Sequence, residues 1–338
     1  MIVGSFHAVF PMEDPSRVGE ARRHAVQLAH ECGFDDIEAG RLAIVVTELG
    51  TNLLRHARSG RLLLSTRTAR GEVEVVAIDE GPGMADVHRA LDDGYSTGTT
   101  PGTGLGAVRR LATEFDLHSS VPQGTVVVAR IRAAASLPAP PAARQAIAVG
   151  AIALAAPGER VCGDAWAFAI DGDRAALIVA DGLGHGPDAA EASKAAVAAF
   201  AQDPMTSPAA MLASVHARLR STRGAAVLVL QADGTEGVVR SAGAGNVMGR
   251  LISGTTDRTI LSQHGTAGVT IRTPDEASTA WPPHALLVAC SDGIATRWQA
   301  DVLAPVLGRD PVLAAAILVR DQSRGRDDAT AAVLRRRA

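Results

Sequence analysis

Residues 48–56 read Glu-Leu-Gly-Thr-Asn-Leu-Leu-Arg-His, and this stretch determines how the first half of the chain is built. Four residues advance a helix by about 400°, so Glu48, Asn52 and His56 drift only about 80° around one face. The pattern predicts a helix from Asp35 or Asp36 to about Arg58. Its buried face comprises Leu42, Val45, Val46, Leu49 and Leu53. On the polar face, an amide oxygen that suits Mg²⁺ and a carboxylate that can polarise a nucleophile are able to share one ligand.

Two glycine-rich motifs follow this helix. Asp79 ends an apolar strand, and the chain then turns at Gly81-Pro82-Gly83. A buried carboxylate there can accept a hydrogen bond from an exocyclic amine, and the nearby glycines let the backbone approach a flat ring. The second motif precedes a predicted helix, so its free backbone N–H groups could hold phosphates. It consists of Gly102, Thr103, Gly104, Leu105 and Gly106.

In this order and at these distances, the three motifs resemble the N, G1 and G2 boxes of the GHKL ATPase superfamily. The resemblance spans nearly all of residues 1–132. It implies that Asn52 binds the Mg²⁺ of Mg·ATP, that Glu48 is the general base and that Asp79 contacts adenine. The glycines of both motifs, with Thr103 and Leu105, would form the rest of the nucleotide site and its lid. His56 is either a further nucleotide-site residue or a structural residue at the helix end.

Two further stretches of this domain indicate which type of GHKL protein it resembles. Residues 92–97 and 104–111 look most like the RsbT type of serine kinase, which acts in bacterial partner switching. Such kinases phosphorylate Ser or Thr on small STAS-domain antagonist proteins, so the resemblance implies a partner of that class. The helix and strand patterns predict an α/β sandwich with the helices on one face of a mixed sheet.

A second domain follows a segment rich in Pro and Ala. Residues 133–146 contain three prolines and no alternating apolar pattern, which predicts an extended linker. Residues 147–338 are rich in strand patterns and contain paired Ala-rich helices, which favours two packed sheets flanked by helices, an αββα sandwich. The predicted fold class is therefore α+β in two domains, 1–132 and 147–338.

The second domain carries separated aspartates in Gly-rich surroundings. Asp181 follows the apolar strand 177–180 and precedes the Gly-rich run 182–186, and Asp292 has the same setting. Asp-Gly is a common turn dipeptide, which would explain any one of these sites but fits Asp181 poorly. Asp164 and the pair at 327–328 each precede a strand. Three or four carboxylates suit a site for two divalent metals that hydrolyses a phosphoester.

This arrangement resembles the metal-dependent protein phosphatases (PPM) in their bacterial SpoIIE/RsbX-like branch. The runs 181–186 and 243–246 look most like the RsbX subgroup. The resemblance implies that Asp181 bridges two metals, Mn²⁺ or Mg²⁺, and that the Gly182 carbonyl binds one of them. Asp292 and Asp327 would bind the other metal, and Asp164 would orient a metal-bound water.

For two residues of this domain, the sequence leaves two roles open. Asp328 could substitute for Asp327 as a metal ligand, because the two aspartates are adjacent. His185 is either a general acid or a polar residue that supports the turn.

Net charge, the distribution of apolar residues and the cysteine content argue against several classes of partner and indicate a compartment. The net charge of −3 argues against a partner held through nucleic-acid phosphates. No apolar run approaches the roughly 18–20 residues that a membrane span needs. The three cysteines are scattered, which fits reduced thiols and predicts a cytoplasmic protein.

The combination predicts a bifunctional kinase and phosphatase that regulates partner switching, with a STAS-domain protein as the shared substrate. An alternative is a phosphatase whose first domain is an ATP-dependent binding or sensing module, which could hold a sigma factor or a partner phosphatase. A Glu48→Gln variant separates these alternatives, because only a kinase should lose its effect.

Overall fold

The computed structural model describes residues 1–91, 104–134, 136 and 146–336. The chain divides into two compact units, and the α+β, two-domain architecture predicted from the sequence is confirmed. The N-terminal unit comprises His7–Ala139. The C-terminal unit comprises Pro140–Ala338 together with Met1–Phe6, whereas the sequence patterns place those first six residues in the N-terminal domain.

The N-terminal unit begins its helices at clear capping signals. The side chain of Asp14 accepts a hydrogen bond from the Ser16 N–H before the first helix, and Asp35 and Glu38 form a capping box before the second. Four described helices result: α1 (Pro15–Glu31), α2 (Asp36–His56), α3 (Val87–Ala90) and α4 (Gly104–Leu111). The strands of this unit are β2 (Ala8–Pro11), β3 (Arg61–Arg67), β4 (Glu72–Ile78), β5 (Glu114–Ser120) and β6 (Gly124–Arg132).

The sheet of this unit has the order β2-β3-β4-β6-β5. Its hydrophobic core lies between one face of the sheet and the apolar sides of α1 and α2, where Leu42, Leu49 and Val75 are buried. The prediction of a mixed sheet is wrong for the described residues, because all four strand pairings are antiparallel. Short turns join β3 to β4 and β5 to β6. Because a short turn reverses the direction of the chain, the two strands that it joins run antiparallel.

The C-terminal unit contains two sheets that enclose a core between them. Its strands are β1 (Ile2–Val3), β7 (Ile147–Leu154), β8 (Asp164–Asp171), β9 (Arg174–Gly182), β10 (Ala225–Asp233), β11 (Val238–Ala244), β12 (Met248–Ile252), β13 (Asp257–Ile260), β14 (Gly265–Thr266), β15 (Thr270–Ile271), β16 (Ala277–Ala280), β17 (Leu286–Cys290) and β18 (Ala329–Arg336). One sheet has the order β1-β8-β9-β10-β11-β16 and the other β13-β12-β17-β18-β7. β14 and β15 form a separate hairpin.

Three helices cover the outer faces of these sheets. α5 (Pro187–Phe200) and α6 (Pro208–Arg218) pack on the six-stranded sheet, and α7 (Pro311–Gln322) packs on the five-stranded sheet. The unit is therefore the αββα sandwich predicted from the sequence. None of the described helices is long and apolar enough to span a membrane.

The first strand of the chain completes the six-stranded sheet from its edge. Ile2 pairs with Phe168 and Val3 with Ala167 of β8, and the Ile2 side chain is buried in the core between the sheets. The N–H of Gly4 donates to the Trp166 carbonyl at 2.9 Å. The chain therefore starts in the C-terminal unit, passes through the whole N-terminal unit and then returns.

Gly4 lies so close to Trp166 that a larger residue does not fit. A Cβ at this position would be 1.9 Å from the indole ring, so we expect Gly4→Ala to lower the unfolding free energy of the C-terminal unit by about 1–3 kcal/mol. All three tryptophans belong to that unit, so denaturation followed by tryptophan fluorescence reports on it alone. Gly254→Ala is the matched control, because nothing lies within 4 Å of its added Cβ. Equal midpoints for the two variants would show that this segment does not pack as described.

Candidate active sites

The polar face of α2 meets the first turn of α4. A Cβ placed on Gly104 would lie 3.2 Å from the Asn52 amide nitrogen, 3.3 Å from its oxygen and 3.5 Å from a Glu48 carboxylate oxygen. Glu48 and Asn52 are one helical turn apart and half-buried, as the four-residue spacing predicts. The amide, the carboxylate and the backbone of the glycine motif therefore lie together, although about 50 residues separate the motif from the helix in the sequence.

The turn after β4 presents Asp79 at the same end of the sheet. The Asp79 N–H donates to the Thr125 carbonyl at 2.9 Å, and the Gly81 N–H donates to the Asp79 carboxylate at 2.7 Å. Gly81 is also close to the end of α2, since a Cβ there would lie 3.0 Å from the His56 carbonyl. The turn is thus fixed by its own hydrogen bonds, and Gly83 within it adopts a positive φ of 71°.

The remaining predicted nucleotide residues fall in different environments. His56 is the last residue of α2 and its side chain is exposed, so its role as a nucleotide ligand or a structural residue stays a prediction. Leu105 packs against the core, and Gly106 is buried within α4. Gly102 and Thr103 lie outside the described residues.

The aspartates of the C-terminal unit gather at the ends of neighbouring strands. Asp164, the first residue of β8, pairs directly with Asp181 near the end of β9. Gly182 ends β9, and its N–H donates to the Gly163 carbonyl at 3.1 Å. Asp292 follows β17 in the facing sheet. The two sheets therefore bring to one end acidic side chains that the sequence separates by more than one hundred residues.

The charges of these aspartates strongly influence one another. Burial raises the pKa of the Asp181 carboxyl to about 9, and repulsion from Asp164, Asp292 and Asp327 adds to the rise. Burial likewise raises the pKa of Asp164 to about 7, although a hydrogen bond of 2.6 Å from the Ser291 hydroxyl opposes the shift. Without counter-ions, this end of the sandwich is a site of uncompensated negative charge, which positive ions would stabilise.

The adjacent aspartates Asp327 and Asp328 are placed differently. Asp327 is exposed and its charge acts on both Asp181 and Asp292, so it faces the acidic site. Asp328 is buried and one of its oxygens accepts the Ala156 N–H at 2.9 Å, which ties β18 to the loop before β8. This geometry favours Asp327 as the candidate metal ligand and a supporting role for Asp328.

The chemistry of these residues fits hard divalent cations, which take carboxylate and carbonyl oxygens as ligands. Among the described residues, no group of three or more His, Cys, Asp or Glu side chains is arranged to hold a metal ion. However, one buried carboxylate oxygen of Asp164 and one of Asp328 have no hydrogen-bond partner. Unpartnered buried carboxylate oxygens next to other carboxylates are the donors that Mg²⁺ and Mn²⁺ prefer.

Two supporting residues could not be recognised from the sequence. The Asn246 amide donates to an Asp292 carboxylate oxygen at 2.7 Å, and Ser291 links Asp164 to β18 by accepting the Thr330 N–H at 2.9 Å. The run at 243–246 resembles a family motif, which was the one available signal for Asn246, but the resemblance alone does not assign this residue a role. Nothing in the spacing indicates the partner of Ser291, because Asp164 lies 127 residues away in the sequence.

His185 makes a close polar contact at the edge of the acidic site. Its Nδ1 lies 2.6 Å from a Glu159 carboxylate oxygen, and its side chain is exposed. The contact joins the run 182–186 to the loop before β8. It therefore supports the interpretation of His185 as a residue that holds the turn.

Ser291 should be important for stability as well as for the site. We expect Ser291→Ala to lower the unfolding free energy by about 1–3 kcal/mol, because it leaves a buried carboxylate oxygen and a buried N–H without partners. Urea denaturation of the metal-free protein measures this effect. Ser278→Ala is the matched control, since Ser278 is an exposed serine of β16. A loss below about 0.5 kcal/mol would mean that the Ser291 hydroxyl does not hold Asp164.

The fold and the two sites define a chain with a GHKL-type ATPase domain followed by a PP2C-type phosphatase domain. Residues 12–131 match the family model of the histidine kinase-like ATPase domain, and residues 171–337 match that of stage II sporulation protein E (SpoIIE). The chain belongs to the histidine kinase-like ATPase family through the first segment, and its second segment is similar to the SpoIIE family.

Individual relatives support both assignments. The serine/threonine-protein kinase RsbT of Bacillus subtilis (strain 168) is 33% identical over 111 residues, which cover 32% of this chain and 84% of RsbT. A solved structure described as "The bacterial stressosome: a modular system that has been adapted to control secondary messenger signaling" is 27% identical, with a TM-score of 0.53, over 56% of this chain and 99% of that one. RsbX in complex with magnesium is 19% identical, with a TM-score of 0.51, over 56% and 94%, and this likeness is one of fold.

Proposed function

We propose that this chain is a bifunctional regulator of bacterial partner switching. Its N-terminal unit would phosphorylate a Ser or Thr of a STAS-domain antagonist with Mg·ATP, and its C-terminal unit would dephosphorylate the same or a related phosphoprotein. The proposal rests on the presence of two domains in one chain. The RsbT-like domain has Glu48 beside Asn52, and the SpoIIE-type domain has several aspartates at one end of its sheets. A kinase and a phosphatase of related pathways on one chain favour a shared target, because linkage raises the effective concentration of both.

In the N-terminal unit, each residue would have a separate task. Asp79 would accept a hydrogen bond from the adenine amine, and the Asn52 amide oxygen would hold the Mg²⁺ that accompanies ATP. Glu48 would then accept the proton of the substrate hydroxyl as that oxygen attacks the γ-phosphorus, and the bond to the β-phosphate oxygen would break to release ADP. The half-buried position of Glu48 beside Gly104 suits this task, because the base and the phosphate-binding backbone must lie within a few ångströms of each other.

In the C-terminal unit, Asp181, Asp292 and Asp327, with the Gly182 carbonyl, would hold two divalent metals. Such metals, when bound, supply Lewis acidity and activate water for hydrolysis of a phosphoester. Asp164 would orient the attacking water. The Ser291 hydroxyl donates a hydrogen bond to one carboxylate oxygen of Asp164 and so fixes its position. The repulsion among these carboxylates makes metal binding favourable, because the cations neutralise charges that the fold has placed together.

The test uses γ-labelled ATP, Mn²⁺ and STAS-domain proteins from the same organism, with wild type, Glu48→Gln and Asp181→Asn. We expect label to appear on one STAS protein with wild type, to persist longer with Asp181→Asn and to be absent with Glu48→Gln. Absence of label with every enzyme would contradict the kinase role. It would instead support the alternative in which the N-terminal unit is an ATP-dependent binding or sensing module.

A further inference from the structure

One arginine is fixed beside the acidic site of the C-terminal unit. The N–H of Arg324 donates to the Gly293 carbonyl at 2.8 Å, and the Ala295 N–H donates to the Gln322 carbonyl at 2.8 Å. A bridge between Ile294 and Ser323 lies between these two hydrogen bonds. Arg324 is therefore attached through its backbone to the turn that carries Asp292. The two hydrogen bonds and the bridge set the position of its Cα.

The guanidinium of Arg324 has hydrogen-bond donors that are available to a ligand. Its side chain is exposed, and among the described residues it forms no ion pair or side-chain hydrogen bond. The hydrogen bond from its N–H to the Gly293 carbonyl places Arg324 beside Asp292, the residue before that glycine. Asp292 already accepts a hydrogen bond from the Asn246 amide at 2.7 Å. Arg324 is thus a cation at the edge of the site whose donors are available to a ligand.

We propose that Arg324 binds the phosphate group of the phosphoprotein substrate at the acidic site. This inference rests on the proposed phosphatase function and names a residue for it. A phosphate dianion must approach a cluster of carboxylates, so a fixed cation at the rim lowers the repulsion that it meets. Guanidinium is well suited to this task, because its planar donors match two phosphate oxygens at once.

Two other arginines near the site provide comparisons. Arg326 lies two residues further along the same loop and is also exposed, but among the described residues no backbone hydrogen bond ties it to the turn that carries Asp292. Arg223 borders the run 182–186, since a Cβ on Gly184 would lie 3.6 Å from it, yet it is already paired with Asp188. Charge alone therefore does not distinguish Arg324; its fixed backbone and its available donors do.

The experiment measures phosphate binding by the full chain loaded with Mn²⁺, using inorganic phosphate and p-nitrophenyl phosphate as probes. Variants are Arg324→Ala, Arg324→Lys and the control Arg326→Ala. We expect Arg324→Ala to raise the inhibition constant for phosphate, and the KM for p-nitrophenyl phosphate, about tenfold or more. Arg324→Lys should recover part of this loss, and Arg326→Ala should stay within about twofold of wild type. Calorimetric titration with phosphate gives the same comparison without turnover.

Several results would overturn the inference. One is an unchanged phosphate affinity in Arg324→Ala; another is an equal loss in Arg326→Ala, which would indicate general surface charge. A weaker Mn²⁺ affinity that accounts for the whole effect would place Arg324 in metal binding instead. Failure of the proposed function looks different, because the wild-type protein itself would then hydrolyse neither p-nitrophenyl phosphate nor a phosphoprotein with Mn²⁺ present.

Discussion

Asp181→Asn is expected to abolish phosphatase activity, by a factor of about 10³ or more, while leaving the metal-free fold intact. The loss follows from the position of Asp181 among Asp164, Asp292 and Asp327, where it would help to hold the divalent metals. Lewis-acid stabilisation by a bound metal amounts to several kcal/mol, and each ~1.36 kcal/mol is tenfold in rate. Hydrolysis of p-nitrophenyl phosphate with Mn²⁺ measures the effect.

The fold should tolerate this substitution for a specific reason. Burial and repulsion from the neighbouring carboxylates raise the pKa of Asp181, which favours its protonated form when no metal is bound, and asparagine closely matches a protonated carboxyl in shape. We therefore expect an unchanged Tm without metal and loss of the Tm increase that Mn²⁺ gives the wild type. Asp171→Asn, at the exposed end of the same strand pair, should keep both activity and the metal response. A Mn²⁺-induced Tm shift of wild-type size in Asp181→Asn would show that the metals bind elsewhere.

Glu48→Gln is expected to reduce phosphoryl transfer by about 10²–10⁴ while nucleotide affinity changes little. General-base catalysis contributes a factor of this size, and the amide keeps the shape of the side chain beside Gly104. Transfer of label from γ-labelled ATP to the STAS-domain protein measures the chemical step. Binding of a fluorescent ATP analogue with Mg²⁺ measures affinity separately.

Two further variants make this result interpretable. Asn52→Ala should weaken binding of the Mg²⁺ nucleotide itself, because it removes the amide oxygen that lies next to Glu48 on α2. Glu31→Gln removes an exposed carboxylate at the end of α1 and should behave as wild type. If Glu48→Gln transfers phosphate at the wild-type rate, another group is the base, or none is needed.

Features with a strong local signal were predictable from the sequence. The capping residues Asp14 and Asp35 mark the starts of α1 and α2, and apolar runs mark β9 and β17 with an aspartate after each run. These signals depend only on neighbours within a few residues, so they can be recognised without the fold. The closeness of Glu48 and Asn52 was predictable from their four-residue spacing, and a site shared with the glycine motif of Gly104 was implied by the resemblance to the GHKL ATPases.

Features that depend on distant partners were not predictable. β1 has only two residues, and it becomes a strand only because β8 offers an open edge. The hydrogen bonds of Ser291 and Asn246 join segments that are far apart in the sequence, so neither partner could be recognised from the neighbouring residues. The antiparallel pairing of β4 with β6 likewise depends on where the chain returns after α4.

The pairing of β1 with β8 has a consequence for the order of events during synthesis. The ribosome makes Ile2 and Val3 before their partners Phe168 and Ala167, which follow only after the entire N-terminal unit. At about 5–20 residues per second, the first strand must wait for several seconds or longer before the sheet that it joins can form. Meanwhile the N-terminal unit is complete and can fold on its own timescale. The apolar segment Met1–Phe6 is then a nascent-chain element without its sheet, so this edge of the C-terminal unit stays open until β8 has been made.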